Sequence, residues 1–232
     1  MIKRALQSMH VEAARANRAN IVSLLDRNEH ARLLDLGCDD GAWTCELGKA
    51  VGTSAMFGVE IVAERAAEAR TRGINVIEAD LAQRLPLDSG YFDVIHANQV
   101  IEHVPSVDVF MSEIARLLRP GGCAIISTEN GSSWHNIGAT VLGWQMFSLT
   151  NVSARIAGIG NPLALHRSES IALSSWTHKT IFNYRGLVEF VEAHGLRETR
   201  CLGAGYYPLP ASVGRIDPRH AHFLALRAFK RA

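Results

Sequence analysis

The sequence carries almost no excess charge: 24 Lys and Arg stand against 23 Asp and Glu, a formal net charge of +1. That balance removes the whole-chain electrostatic case for nucleic acid or an anionic membrane and leaves only local patches. No Asn/Asp-Pro-Pro-Tyr-like base-flipping motif occurs, so no nucleic-acid partner is expected. Cysteine is scarce and scattered. Cys38, Cys45, Cys123 and Cys201 form no C-x-x-C pair, so neither a zinc site nor a disulfide framework is indicated. Free thiols in a reducing cytosol are the simplest reading. Met1-Ile2-Lys3-Arg4-Ala5 is not followed by an apolar signal core, and the expectation is a cytoplasmic protein. No uninterrupted run of about 20 apolar residues exists, and no internal repeat. What is present is ample apolar material: 47% of 232 residues, enough for a full core in one α/β domain spanning 1–232.

The apolar residues are arranged in two alternating rhythms. Residues 1–28 carry Leu6, Met9, Ala13, Ile21, Leu24 and Leu25 at helical spacing, predicting one or two amphipathic helices. Strands are predicted at Arg32–Leu36, Ala55–Glu60, Asn75–Glu78, Phe92–Ala97, Cys123–Thr128 and His222–Phe229. Helical stretches fall between them at Thr44–Val51, Ala63–Arg72, Val107–Leu118 and Tyr184–His194. Gly73, Gly195 and the Arg119-Pro120-Gly121-Gly122 turn act as stops. Strands separated by helices predict a doubly wound, mostly parallel sheet with helices on both faces. Residues 130–180 break the rhythm. No Asp, Glu, Lys or Arg occurs from Asn130 to Ala154. The segment reads as an inserted cap after the fifth strand, beside the edge where open sheets bind ligands.

The richest local signal is Leu33-Leu34-Asp35-Leu36-Gly37-Cys38-Asp39-Asp40-Gly41: a buried strand, a tight turn and a helix start. Glu60 ends the second strand about 20 residues beyond that turn, where a carboxylate accepts hydrogen bonds from the ribose hydroxyls of an adenosine ligand. The alternative is a solvated acid at a strand end. A dinucleotide turn wants G-x-G-x-x-G, but Asp39 stands in place of the middle glycine. Two acids beside a pyrophosphate would repel it, so the turn favours a cationic, phosphate-free ligand over NAD.

These residues resemble the first motif of the class I S-adenosylmethionine-dependent methyltransferases, of the broad type 11 group. Asp80 in Glu78-Ala79-Asp80-Leu81 and Phe92-Asp93-Val94-Ile95 are similar to further motifs of that family, as are Val100-Ile101-Glu102-His103-Val104 and the Arg119–Gly122 turn. The resemblance implies a Rossmann-like, seven-stranded sheet and S-adenosyl-L-methionine as cofactor. It implies cofactor contacts from Asp35, Gly37, Cys38, Asp39, Gly41, Glu60, Ile61, Asp80, Leu81, Asn98 and Gln99. Asp35 and the turn would meet the methionine end, Glu60 the ribose, Asp80 the adenine amino group, and Asn98 with Gln99 would lie under the sulfur. Asp35 reads equally as a core acid capping the turn, and Asp80 as an N-cap.

Methyl transfer is a displacement at an activated carbon, so alignment can supply roughly 7–11 kcal/mol of the barrier reduction. A general base adds ~10²–10⁴ in rate for a hydroxyl acceptor. His103, His135 and His178 are the candidates, each with a structural alternative. No pair of them has metal-ligand spacing, and no metal is expected. Asn130, Trp134, Trp144 and Tyr206 are candidate acceptor contacts. The cap aromatics would line an apolar pocket, touch a membrane peripherally, or simply bury the cap on the sheet. Gly143–Phe147 and the tail stretches Gly205–Pro210 and Arg215–His222 resemble bacterial methyltransferases associated with surface glycans. The expected activity is therefore methylation, at oxygen, of a small molecule or glycan. A lipid or quinone acceptor and a non-catalytic cofactor binder are the alternatives.

Overall fold

A computed structural model describes residues 2–167, 169 and 176–231. Its elements in chain order are α1 (Ile2–Ser23), β1 (Leu33–Leu36), α2 (Ala42–Val51), β2 (Met56–Glu60), α3 (Ala63–Thr71), β3 (Asn75–Glu78), β4 (Phe92–Asn98), α4 (Val107–Leu117), β5 (Leu118–Glu129), α5 (Trp134–Val141), α6 (Tyr184–Ala193), β6 (Leu196–Ala204) and β7 (Phe223–Lys230). The N-terminal segment is one helix. β6 is the strand that the apolar pattern did not predict: Leu196-Arg197-Glu198-Thr199-Arg200 is too polar to read as one.

Seven strands form one sheet in the order β3-β2-β1-β4-β5-β7-β6. β1 to β5 pair in parallel, and β7 runs antiparallel between β5 and β6. This is a Rossmann-like arrangement, and the doubly wound expectation holds. Strand side chains alternate between two cores. Leu34, Leu36, Ile95 and Ile126 pack with Phe110, Met111, Ile114 and Leu117 of α4 and with Leu187 and Val191 of α6. Leu33, Val94 and Ile125 face the other way, onto Ile21, Leu24 and Leu47. β1 is buried along its whole length, as a central parallel strand must be.

The chain order reverses between β1 and β4, which leaves a crevice at the carboxyl ends of those strands. α1 lies over this edge. Its buried stripe contains Asn17 and Asn20, paired to Asn98, Ser127 and the Gly203 carbonyl. After β5 the chain leaves the sheet through α5 and a 3-10 turn at Phe147–Leu149, and it rejoins where Asn130 bridges Phe182. Of the expected 130–180 cap, residues 168 and 170–175 lie outside the described ones. Among the described residues, no helix is long and apolar enough to cross a membrane.

Candidate active site

The crevice has two halves. The first is built by the turn after β1 and the ends of β2 and β3. Gly37, Asp39 and Gly41 all take positive φ, at 74°, 48° and 79°. A Cβ on Gly41 would meet Ile74 Cδ1 at 2.5 Å and Ala69 Cβ at 2.9 Å, so glycine is needed both for its backbone and for packing on α3. Asp39 is tolerated because aspartate is among the few side chains that enter the left-handed region readily.

The turn's charges do not act as the sequence suggested. Asp39 pairs with Arg65 Nε of α3 at 3.2 Å and Asp40 with Arg72, the residue that caps α3, at 3.0 Å, so the acids are compensated rather than free to repel phosphate. The amides tell the ligands apart instead. Gly37 and Cys38 N–H both donate to the Val59 carbonyl, Asp39 N–H to Glu60 Oε2, Gly41 N–H to the Cys38 carbonyl, and Ala42 N–H to Asp40 Oδ1. A turn with these five amides engaged offers little to a pyrophosphate.

Glu60 is pinned by three backbone amides, those of Asp39, Ile61 and Val62, each at 2.9 Å. Its oxygens keep further lone pairs. Asp80 accepts the Ala82 amide through Oδ1, the N-cap alternative, and keeps Oδ2. Ile61 is 55% exposed beside Glu60, whereas Leu81 packs on the core. Two expected contacts are corrected. Cys38 turns its thiol into the packing with Ala69 and Ile74, where burial pushes the thiol up to about 12, so only its backbone borders the crevice. Asp35 is 2% exposed, and its oxygens are taken by His96 Nδ1 at 2.7 Å and Thr44 Oγ1 at 2.5 Å. Trp43 Nε1 donates to the far nitrogen of His96 at 3.5 Å. Asp35 therefore holds the turn from beneath instead of reaching a ligand.

Asn98 and Gln99 sit at the end of β4, with Gln99 at φ 56°. Asn17 of α1 donates to Asn98 Oδ1 at 3.2 Å and Ser127 Oγ at 2.8 Å, while its own buried Oδ1 has no partner.

The second half is a cavity of about 300 Å³ at the ends of β5 and β7, roofed by Leu6 and His10 of α1. Its polar lining includes Glu129, His135, His178, Tyr207 and His222. His222 Nε2 stands 3.8 Å from Glu129 Oε1, and His222 Nδ1 lies 2.8 Å from the Tyr207 hydroxyl. Burial alone would raise the Glu129 carboxyl. The neighbouring imidazoles of His222, 3.8 Å away, and His178 outweigh this and bring it well below the usual range. His135 packs edge-on against His222 at 4.6 Å and Tyr207 at 4.9 Å. Burial, then the neighbouring His222, holds its imidazole well below its ordinary value, so it is uncharged near neutral pH.

His103 lies behind His178, ring centroids 4.6 Å apart, and does not line the cavity. Burial and His178 push it down to about 4. Beside it Glu102, 1% exposed, is pushed up to about 8 by burial.

None of the four expected acceptor contacts lines the cavity. Asn130 is fully buried, its amide donating to the Arg219 and Ala221 carbonyls and its Oδ1 accepting from Ser132. Trp134 donates to the Tyr206 hydroxyl at 2.7 Å and stacks on His220, and Tyr206 donates to Asp217. These residues latch α5 to the β6–β7 connection. Trp144 lies in the cap and does not line the cavity. The sequence reading gave Glu129, His222 and His10 no part in the acceptor site, and offered Tyr207 only within a stretch that could close the pocket. Glu129 ends the fifth strand just as Glu60 ends the second, a signal of the same kind.

A family model described as "Methyltransferase domain" matches residues 9–200. The chain is 33% identical over 107 residues to a ubiquinone biosynthesis O-methyltransferase of Chelativorans sp. (strain BNC1), covering 44% of this chain and 42% of the relative. It is 28% identical over 179 residues to a trans-aconitate 2-methyltransferase of Methylobacterium nodulans, covering 72% of this chain and 69% of the relative. The chain spans less than half the length of most of the curated relatives it matches. Among solved structures it is similar to an S-adenosylmethionine-dependent methyltransferase from Mesorhizobium loti, with TM-score 0.61, 19% identity, and 91% and 96% of the two chains covered. It is also similar to the Burkholderia thailandensis 1,6-didemethyltoxoflavin-N1-methyltransferase, with TM-score 0.58, 19% identity, and 95% and 79% covered.

Proposed function

This chain belongs to the methyltransferase-domain family and has its Rossmann-like fold, and from that premise we propose that it transfers the methyl group of S-adenosylmethionine to a hydroxyl oxygen of a small molecule held in the β5–β7 cavity. The observation that carries this reading is the presence of two unlike sites at the same edge of the sheet, one at the ends of β1 to β3 and one at the end of β5, on either side of the point where strand order reverses. One is rich in hydrogen-bond acceptors and poor in free amides. The other is a buried cavity lined by imidazoles and an ionised carboxylate.

The first half suits adenosine without phosphates. Glu60, fixed by three amides, takes the ribose hydroxyls, and the free oxygen of Asp80 takes the adenine amino group, with Ile61 against the ring. The unpartnered Asn17 Oδ1 beside Asn98 is an acceptor for the ammonium of the methionine end. When bound, S-adenosylmethionine would supply a sulfonium-activated methyl, and its transfer to the acceptor oxygen would leave the C–S electron pair on sulfur. His135, uncharged and in the cavity, takes the hydroxyl proton, and Glu129 stabilises the imidazolium that results. His222 and Tyr207 keep Glu129 in place.

A cavity of about 300 Å³ admits one ring or a chain terminus. The relatives named for ubiquinone biosynthesis and trans-aconitate support a small acceptor, and the resemblance to glycan-associated enzymes adds a terminal sugar ring as a variant. A lipid or quinone tail is a second reading, favoured by Val141, Leu142 and Trp176, which are 81%, 62% and 56% exposed on the cap. The scattered free thiols support a cytoplasmic setting. Titration calorimetry with S-adenosylmethionine is the direct test, and no binding up to millimolar donor overturns the proposal. Labelled donor offered to phenols, acids, sugars and lipids identifies the acceptor. Slow turnover abolished by Glu60→Ala excludes a non-catalytic binder.

A further inference from the structure

We propose that Glu102, His103 and His178 form a binding site for one divalent transition-metal ion on the wall of the acceptor cavity. One ligand-type atom from each residue lies within 4.8 Å of the others. Glu102 follows β4 and is buried. Its Oε2 accepts from Thr128 Oγ1 at 2.9 Å, and its Oε1 has no partner among the described residues. A carboxylate oxygen without a partner in the interior is a rare and costly arrangement that calls for a missing cation or donor.

The two imidazoles are set up to meet it. His103 Nδ1 lies 3.3 Å from the Thr177 carbonyl, and His178 Nδ1 lies 2.6 Å from the Ser148 carbonyl. A carbonyl only accepts, so each ring carries its proton on Nδ1 and leaves Nε2 with a free lone pair. Fixing one ring nitrogen on a backbone carbonyl so that the other can ligate is the usual outer support of a metal-bound histidine. The Thr177 and Ser148 carbonyls come from the cap, while Lys179 and Thr180 amides both donate to the Glu102 carbonyl, so cap and sheet are tied together at this spot.

Two imidazole nitrogens and one carboxylate oxygen make a donor set suited to zinc, cobalt or iron(II), and poorly suited to magnesium or calcium, which take oxygens. Bond lengths of about 2.0–2.2 Å require the three donors to draw together from their present spacing of up to 4.8 Å. Three protein ligands leave a coordination position open, and His178 faces the cavity. The open position would take an acceptor oxygen, orienting it and lowering its pKa; that role, unlike the site itself, rests on the methyltransferase reading. The substrate class that follows is an acceptor whose hydroxyl oxygen is also a metal ligand.

The test uses cobalt(II) on the full, metal-stripped chain, without methyl donor or acceptor, so it does not depend on the reaction. Saturable binding of one equivalent is expected, with a visible ligand-field band that zinc(II) displaces. Glu102→Gln and His178→Ala should each weaken cobalt binding ~10-fold or more, while S-adenosylmethionine affinity, measured separately as a check of the fold, stays unchanged. X-ray absorption on the cobalt-loaded wild type should show imidazole scattering from two rings, and this holds the proposal to account even if a variant does not fold. Absence of saturable binding, or an affinity indifferent to both substitutions, overturns it. So does a metal shell without imidazole.

Discussion

Glu60 performs two tasks at once, and that shapes what its loss would do. Its carboxylate binds the amides of Asp39, Ile61 and Val62, and it is the proposed ribose acceptor. Glu60→Ala should remove two charge-assisted hydrogen bonds to ligand, about 2–4 kcal/mol or ~30-fold or more in donor affinity by calorimetry. It should also lower the melting temperature of the free protein, because three amides lose their acceptor. His135 sets a pH dependence. The groups facing it are His222, His10 and Glu129. Its folded-state pKa lies below the unfolded value of 6.5, so as pH falls below that value the unfolded chain takes up the proton first. Stability is full above pH ~6.5 and falls as pH drops from there. The loss in melting temperature between pH 7.5 and 5.5 should shrink in His135→Gln; an unchanged loss would remove His135 as its source.

At the scale of elements, α1 is both a roof and a strut. Leu6 and His10 line the cavity, Ala13 packs on Gly205, and Asn17 and Asn20 tie the helix to the edges of β4, β5 and β6. A Cβ on Gly205 would stand 2.7 Å from Ala13 Cβ and 2.9 Å from His222 Cβ, at a backbone φ of +79°. Gly205→Ala should cost about 1–3 kcal/mol in denaturant unfolding and raise the acceptor KM, because the helix and His222 must both move. The cap latch is a second such element. Tyr206→Phe deletes the hydroxyl that accepts from Trp134 and donates to Asp217. The expected cost is roughly 0.5–1.5 kcal/mol of stability, with earlier proteolysis near α5 as the sign that the cap has loosened.

For the whole molecule, the reversal of strand order makes the two binding halves separable. Tyr207→Phe and His222→Ala should alter kcat and acceptor KM and leave donor affinity within about twofold, while Asp80→Ala should do the reverse, as additivity of distant sites requires. Calorimetry for the donor and steady-state kinetics for the acceptor check this together. Both halves stand on the same core, where Phe110 and Ile114 of α4 are essentially fully buried against the sheet. Phe110→Ala should cost about 3–5 kcal/mol and weaken both functions through the fold alone.

Most of the strands and helices were legible because their signals are local. Apolar runs of strand length, helical spacing and glycine or proline stops recur along the chain, and β6 was missed because its first half is polar. The proposed donor half was placed for the same reason: the turn, Glu60 and Asp80 each lie at or just past a strand end, and parallel topology brings strand ends together. The sequence by itself determined this much: a doubly wound sheet with an acceptor-rich crevice at one edge. It did not show that Arg65 and Arg72 compensate the turn acids, since those pairs join separate elements. Nor did it separate Tyr207 from Tyr206, neighbours of which one enters the cavity and the other latches the cap. His103 and His178 have no meaningful spacing along the chain, yet their rings lie 4.6 Å apart beside the buried Glu102. Only the tertiary structure decided these pairings, because the cap leaves the sheet after β5 and returns through its own backbone contacts, and no local periodicity records where such a path lands.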